Sequence, residues 1–501
     1  MREDWIETSL NDIYEIVTGN TPSKKDKENY GGEIPFIKPP DINNSPLSTA
    51  SEYLSSQGAS KGRVLPPHSI LVTCIGNLGR VTINKEPIAF NQQINALKPI
   101  SNIYSKYTYY VAQSGDFRNQ LEAKSTSTTV ALVNKGSFST IKIPIAPLPE
   151  QRAIVSKIEE LFSDLDKGVA NLKKAQDQLK VYRQAVLKKA FEGELTKEWR
   201  EQQTNLPTAA ELLEKIKIGR QEFFNKQIEE WEFELKKWKE VDENGKKPKK
   251  PRPLTVPDLP NSGHEERKWD IPKNWIWTQI GDLCFVTKLA GFEYTDYVNY
   301  VEDGDLPVLK AENAGPNGFK KTDYSKVKSE SVRMLTRSQI FGGELLVVFV
   351  GAGTGNVAMV PLNQRYFLGP NIGMARPYFK LDSRFLEMFL QSAYGKNLMM
   401  SAVKAVAQPS LSMGTIRQAP VVFPSHEEQH RIVKEIESRL SVCDKVEENI
   451  TESLEKAEAL RQSILKKAFE GRLLSNEEIE KCKAAPDYEP AAVLLEKIKS
   501  S

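Results

Sequence analysis

The segment Gly351-Ala352-Gly353-Thr354-Gly355-Asn356 has the glycine density of a phosphate-cradling loop. It lacks the Lys-Ser/Thr ending that grips a nucleotide, and it lacks a dinucleotide unit's downstream acid. Gly76-Asn77-Leu78-Gly79-Arg80 stands at the corresponding place in the first half of the chain, so a tight turn after a buried strand accounts for both. Lys38-Pro39-Pro40-Asp41 has the paired prolines of the loop with which amino-methyltransferases hold a target amine. Lysine replaces the polar residue that would hold the amine, and aspartate replaces the aromatic. Pro257-Asp258 followed by Glu266-Arg267-Lys268 matches a loose nuclease pattern, but it falls in a proline-rich stretch and not on adjacent strands. His68, His264, His426 and His430 are too scattered for a metal cluster or a histidine-based triad. Cys74, Cys284, Cys443 and Cys482 stand singly, which reads as reduced, structural cysteine. The expectation is a chain with no catalytic residue, no cofactor and no metal of its own.

Side chains that could bind a polyanion are better represented. Residues 61–142 hold ten Lys/Arg against three Asp/Glu, and 326–417 hold eleven against four, a local excess of +7 in each although the whole chain carries only +3. Basic excess recurring in equivalent stretches suggests two equivalent sites for an anionic surface. Groups able to read base edges or touch phosphates are Lys38, Arg80, Asn91, Gln92, Gln93 and Lys124 in the first half, and Lys310, Asn356, Asn371, Arg376 and Lys404 in the second. Asn and Gln are equally at home in turns, so each alone is ambiguous.

Two similar structures must position these groups, because the chain is internally duplicated. Residues 150–193 align without gaps on 428–471 with 19 of 44 positions identical, both ending in Leu-Lys-Lys-Ala-Phe-Glu-Gly. Upstream, Trp5-Ile6 with Asp12-Ile13 matches Trp275-Ile276 with Asp282-Leu283, and Ile34-Pro35-Phe36-Ile37-Lys38 matches Leu306-Pro307-Val308-Leu309-Lys310. Downstream, Leu212-Leu213-Glu214-Lys215-Ile216-Lys217 echoes Leu494-Leu495-Glu496-Lys497-Ile498-Lys499. Short β-branched runs such as Ser69–Ile75 and Leu345–Val350, bounded by Gly, Pro and Asn, read as buried strands, and segments near 104–121 and 383–400 carry helical spacing. The modules are therefore α/β, of α+β type.

From Ile158 the apolar period becomes seven, through Leu165, Leu172, Leu179 and Val186, with Leu161, Ala175 and Tyr182 at a second position; Gly168 is expected to break this seam. The second copy repeats it as Ile436, Cys443, Ile450, Ala457 and Ile464, beside Val446, Ser453 and Leu460. So sparse a stripe needs a partner alongside, and the other copy supplies it. The expected spacer contacts are Leu165, Leu172, Leu179, Val186, Ile450, Leu460 and Ile464. Roughly 33 residues at ~1.5 Å each would hold the ends ~50 Å apart. Glu150 and Glu427-Glu428 suit the helix starts, and Gly193 and Gly471 suit left-handed caps. Between the halves, Phe224, Ile228, Trp231, Leu235 and Trp238 read as an amphipathic helix, followed by a Pro/Lys-rich linker at 245–253, a candidate tether for a DNA backbone.

At 501 residues the chain holds roughly three to five units of ~100–150 residues. The expected boundaries are a first module at 1–149, a long helix at 150–198, a charged linker at 199–268, a second module at 269–425, a second long helix at 426–474 and a tail at 475–501. No apolar run approaches a membrane span, and the start Met1-Arg2-Glu3-Asp4-Trp5 is too acidic for a signal peptide, so the cytoplasm is the expected compartment.

This order of module, Glu-Gln-x-x-Ile-Val helix closing in Lys-Lys-Ala-Phe-Glu-Gly, then module and helix again, resembles the specificity subunit of type I restriction–modification enzymes. The resemblance spans essentially the whole chain, and the paired helices carry its specific part. It implies target recognition domains that each read one half of a split, asymmetric DNA site, and helices that pack antiparallel as a spacer with pseudo-two-fold symmetry. It implies double-stranded DNA, two modification subunits and two restriction subunits as partners. S-adenosylmethionine would belong to the modification subunit, and ATP and magnesium to the restriction subunit. Two rival readings are a fused methyltransferase–nuclease, which needs a cofactor loop and an acid cluster, and a coiled-coil adaptor that binds only protein, which leaves the paired basic segments unexplained.

Overall fold

The computed structural model describes residues 2–100, 102–126, 130–240, 247–251, 253, 270–362, 364–401 and 410–500. The chain divides into two compact units, one of Met1–Ala175 with Asn449–Ser501, the other of Gln176–Glu448.

In the first unit, strands Ile16–Thr18, Ile94–Leu97, Ile70–Thr73 and Val81–Ile83 form, in that order, an antiparallel sheet. Strands Glu52–Leu54, Tyr30–Ile37, Ile88–Phe90 and Val64–Leu65 form a second sheet, in which Phe36 pairs with Ala89 in parallel. Ile6–Ser9 pairs with Lys142–Ile145. Every residue of Ile70–Thr73 is buried, because successive side chains enter different cores. Ile70 and Val72 join the core shared with the helices, while Leu71 joins Ile37, Leu65 and Phe90 between the sheets.

The second unit repeats this. Its sheets are Cys284–Lys288, Ile372–Pro377, Leu345–Val348, Val357–Met359 and Lys326–Val327, Leu306–Leu309, Tyr366–Leu368, Gln339–Ile340, with Ile276–Gln279 paired to Pro420–Phe423. Leu345 and Val347 face the helices, and Leu346 and Val348 face the other sheet. The segments with helical spacing each hold two helices: Ser105–Ala112 with Gly115–Ala123, and Ser383–Gln391 with Ala393–Met400. Ser114 and Ser392, extended in backbone, cap the second helix of each pair through Phe117 N–H and Gly395 N–H.

The two long helices are Leu148–Phe191 and His426–Phe469, of 44 residues each. Each closes on a left-handed glycine, Gly193 at φ 79° and Gly471 at φ 75°. The amides of Glu194 and Arg472 reach back to the carbonyls of Lys189 and Lys467, which completes a Schellman closure. Each unit contains the start of one long helix and the end of the other, running antiparallel. In the first unit Ile154 lies beside Ala468, and Arg461 lies 4.3 Å over the Phe162 ring and pairs with Asp166. In the second, Glu428 meets Thr196, and Arg183 pairs with Asp444 at 2.6 Å and Glu447 at 3.0 Å.

The expected seam is partly corrected. Ile158, Val186, Ile436, Cys443, Ile450 and Ile464 are buried, and Leu165, Leu172 and Leu179 are half-buried. Leu460 (51% exposed), Val446 and Tyr182 face outward and make no seam. Gly168 lies within an unbroken helix, its cost of ~1 kcal/mol being small against so long a ladder.

The linker helix is Ala209–Glu240, and the tail holds Asn476–Lys483 and Ala491–Lys499. The echoed segments do equivalent work. Ala209, Leu212 and Ile216 enter the core of the second unit, and Ala491, Leu494 and Leu495 that of the first. Ala209 N–H donates to the carbonyl of Asn274, and Ala491 N–H to that of Asp4, each immediately before the repeated tryptophan.

Candidate nucleic-acid interface

The repeated Glu-Gln pair shows how module and helix are fixed to each other. Glu150 is fully buried, not a solvated first-turn acid, and its Oε2 accepts hydrogen bonds from Trp5 Nε1 and Arg2 Nη1, both at 2.9 Å. Glu428, equally buried, accepts from Trp275 Nε1 at 2.8 Å, Asn274 Nδ2 at 3.3 Å, Thr196 Oγ1 at 2.8 Å and Arg200 Nη1 at 2.5 Å. The next residue takes the backbone. Gln151 Oε1 accepts from Tyr104 N–H and its Nε2 donates to the Ala146 carbonyl; Gln429 does the same with Asp382 N–H and the Pro424 carbonyl. The helix ends dock by their aromatic residue: Phe469 meets Tyr107 edge-on in the first unit, and Phe191 meets Phe385 and Phe389 in the second. These residues are missing from the sequence-derived site, although Trp-Ile and Glu-Gln at both repeats were a visible signal for them.

Most of the candidate DNA-contacting residues gather at one end of the two sheets, as the registers require. Thr18 pairs with Asn95, Thr73 with Ile94, and Ile37 with Phe90, so the chain segments leaving or entering these positions share that end. There the first module places Lys38, Arg80, Gln92, Gln93 and, on the neighbouring loop, Lys124. The loop is joined by Gly76 N–H donating to the Ala131 carbonyl at 2.8 Å. Arg80 is half-buried, and its guanidinium has no hydrogen-bond partner among the described residues. Gln92 is exposed and accepts from Thr21 Oγ1 at 2.5 Å. Lys38 is held by Glu52 at 2.6 Å.

The second module brings Lys310, Asn356 and Asn371 to the same end. Lys310 Nζ donates to Ser325 Oγ at 2.6 Å and lies 4.7 Å over the Tyr300 ring. Asn371, exposed at φ 62°, is a turn residue as well as a candidate reader. Lys288, missed in the sequence, ends its strand beside Gly373 and lies 4.9 Å over the Phe349 ring.

Three expectations change. Asn91 is buried, its Oδ1 accepting from Gln93 N–H and its Nδ2 donating to Gln93 Oε1, so it builds the turn. Asn356 is spent similarly, between the Ala314 carbonyl and Lys396 Nζ. Arg376 lies at the opposite end of its sheet, where Glu344 holds it at 3.2 Å. Lys404, His264 and the Pro257-to-Lys268 motif lie outside the described residues.

No bond-making constellation accompanies these surfaces among the described residues. No group of three or more His, Cys, Asp or Glu is placed to hold a metal, and His430 is spent on Asp382 at 2.7 Å, beside His426. All four cysteines are free and buried; burial pushes the Cys74 thiol up to about 12 and raises Cys284 likewise. No described helix is long and apolar enough to cross a membrane.

Two like α/β modules, each pinned to the start of one long helix and the end of another, with unlike polar loops at one sheet end, define a tandem recognition protein. The family model for the type I restriction modification DNA specificity domain matches residues 2–175 and again 272–456. The chain belongs to that family, and carries its domain twice as a DNA-recognition component that is not itself a catalyst. It is similar to the type I restriction enzyme EcoBI specificity subunit of Escherichia coli, with 24% identity over 501 residues, covering 100% of this chain and 93% of that protein. It also resembles the HindI specificity subunit of Haemophilus influenzae, with 34% identity over 169 residues, 32% of this chain and 37% of the relative. In fold it is similar to a chain solved in work on complex assembly and conformational transition of the type I R-M system, with TM-score 0.65, 16% identity and coverage of 94% and 99%.

Proposed function

We propose that each module reads one half of a bipartite, asymmetric duplex site, while the helices set the gap between halves and dock the catalytic subunits. Modification subunits, two of them, would supply S-adenosylmethionine-dependent adenine methylation. Two restriction subunits would supply ATP- and magnesium-dependent cleavage. The observation that supports the reading is the contrast between two pairs of four-stranded sheets with equivalent strand order and the unlike loops at their ends. At equivalent places one module offers Gly76-Asn77-Leu78-Gly79-Arg80 and the other Gly351-Ala352-Gly353-Thr354-Gly355-Asn356. Arg80, Gln92, Gln93 and Lys124 are the contact residues proposed for one half, and Lys288, Lys310 and Asn371 for the other. The recognition domains are taken as 1–149 and 269–425.

Methylated-adenine mapping in DNA from cells with and without this chain tests the reading: a split motif that depends on the chain is expected, and none at all refutes it. Exchanging residues 1–149 for another module should alter one half of the motif only. Lengthening the helical connection should alter the gap and neither half.

A further inference from the structure

The second unit holds an arginine-lined cleft that lies at the other end of its sheets from the loops just described. It has a volume of about 550 Å³, and the linker helix forms one wall through Phe223, Lys226 and Glu230. The module supplies Arg333, Arg337, Arg365 and Arg376, with Phe341 at its edge and Glu330 as the module's lining carboxylate. Behind this lining, two buried carboxylates orient guanidiniums without filling the cleft. Glu293 holds Arg337 Nη2 at 2.6 Å, and Glu344 holds Arg376 Nε at 3.2 Å. Glu344 also accepts from the amides of Phe341 and Gly342, so one carboxylate fixes both the arginine and the loop.

Phe341 is half exposed and works as a spacer: the Arg365 and Arg376 guanidiniums lie 5.3 and 5.6 Å from its ring centroid. Arg365 is exposed and pairs with no carboxylate among the described residues, its Nη2 donating to Gln339 Oε1 at 3.3 Å. Lys226, on the helix wall, likewise makes no ion pair among the described residues. Arg333 has only the solvent-exposed Glu330, at 3.3 Å. Guanidiniums held from behind, with further N–H groups left over, match the bidentate geometry of phosphate oxygens.

The same wall carries more positive charge. A strap of residues 247–251 with Pro253 runs back along the linker helix, with Lys247 over Trp238, Pro248 accepting from Trp231 Nε1, Lys250 over Trp231, and Pro253 beside Phe223 and Gln227. Lys247, Lys249 and Lys250 are all exposed.

We infer that this cleft and its lysine strap form a second nucleic-acid contact, one that grips the phosphodiester backbone of DNA independently of sequence. The inference rests on the reading of this chain as a DNA-binding subunit. A cleft that meets phosphates and not base edges lowers affinity uniformly when it is removed, and it reduces the salt dependence by about 0.9 per phosphate lost.

The test is fluorescence anisotropy of the full chain with its methyltransferase partner, titrated with a cognate and a scrambled duplex from 50 to 200 mM salt. The parent is compared with the double variant Arg333→Ala/Arg365→Ala, which leaves both buried glutamates paired. The slope of log affinity against log salt should fall by about 1.8, so that the variant loses about tenfold less affinity than the parent across that range. The cognate-to-scrambled ratio should not change. An unchanged slope in a variant that keeps its cognate preference overturns the cleft and leaves the recognition reading intact. Loss confined to the cognate duplex overturns backbone gripping in favour of base reading. Saturable binding of free ATP that the variant abolishes would assign the cleft to a free nucleotide instead, and no duplex binding by the parent would overturn both. A melting temperature matched to the parent, together with retention in Arg365→Lys, guards against misfolding.

Discussion

Replacing Glu428 by alanine should destabilise the second unit far more than the equivalent change at Glu150 destabilises the first. Glu428 accepts four hydrogen bonds from side chains of two other chain segments, Thr196 and Arg200 after the end of the first long helix and Asn274 and Trp275 before the first strand of the module. Removing it leaves the indole N–H of buried Trp275 without an acceptor and the Arg200 guanidinium, only 16% exposed, without a counter-charge. Breaking one partner out of a buried pair costs about 3–5 kcal/mol. At ~2–4 °C per kcal/mol for a unit of this size, the corresponding transition should fall by roughly 6–20 °C. Glu150 accepts only two bonds, both on Oε2, while its buried Oε1 has no partner among the described residues, and Arg2 can turn to solvent. Its loss should cost about 2 kcal/mol, chiefly the orphaned Trp5 N–H. Calorimetry of the full chain and both variants separates the cases. A Glu428→Ala transition within 2 °C of the parent, or a larger effect from Glu150→Ala, would refute the reasoning.

Gly193→Ala should destabilise the second unit by ~1–2 kcal/mol or more from the left-handed backbone alone, and its new Cβ would fall 2.4 Å from Pro272 Cγ; a lowered midpoint in urea checks this. Arg80→Ala should weaken recognition of one half of the methylated motif without moving the melting temperature, whereas Asn91→Ala should lower the melting temperature by removing a buried turn; methylation mapping and calorimetry together distinguish them. Because burial raises the Cys74, Cys284 and Cys482 thiols and all four cysteines are enclosed, the native chain should resist iodoacetamide at pH 8 and consume four equivalents once unfolded; rapid native labelling would contradict the packing. His426 has its pKa lowered by burial, so the unfolded chain binds that proton more readily. Stability should fall as pH drops through the unfolded value near 6.5, and His426→Gln should lessen that fall in a pH series of melts.

The periodicities Ile70-Leu71-Val72 and Leu345-Leu346-Val347 were legible as buried strands because a strand covered on both faces reads as an unbroken apolar run. The heptad pattern was less reliable. A straight helix drifts ~20° per heptad from a 3.5-residue repeat, so over 44 residues one stripe cannot stay inside, and Leu460, Val446 and Tyr182 turn outward although their spacing was right. Among the candidate contacts, Asn91, Asn356 and Arg376 had suitable chemistry but are held by near neighbours, and residue type does not reveal such commitments.

By itself, the sequence determined that two modules and two helices repeat, where the helices cap, and that the runs at 69–75 and 345–350 hold buried strands, since these follow from local pattern and exact recurrence. Only the tertiary structure decided which module each helix end meets. Phe191, at the end of the first module's helix, packs on Phe385 and Phe389, and Phe469 packs on Tyr107. The two Ala-Phe-Glu-Gly copies are identical, so nothing local distinguishes their destinations. The choice comes from the stiffness of an unbroken 44-residue helix, which cannot turn its end back onto the module at its own start; pairs such as Asp166 with Arg461 and Arg183 with Asp444, far apart in the chain, form only once the two helices lie side by side.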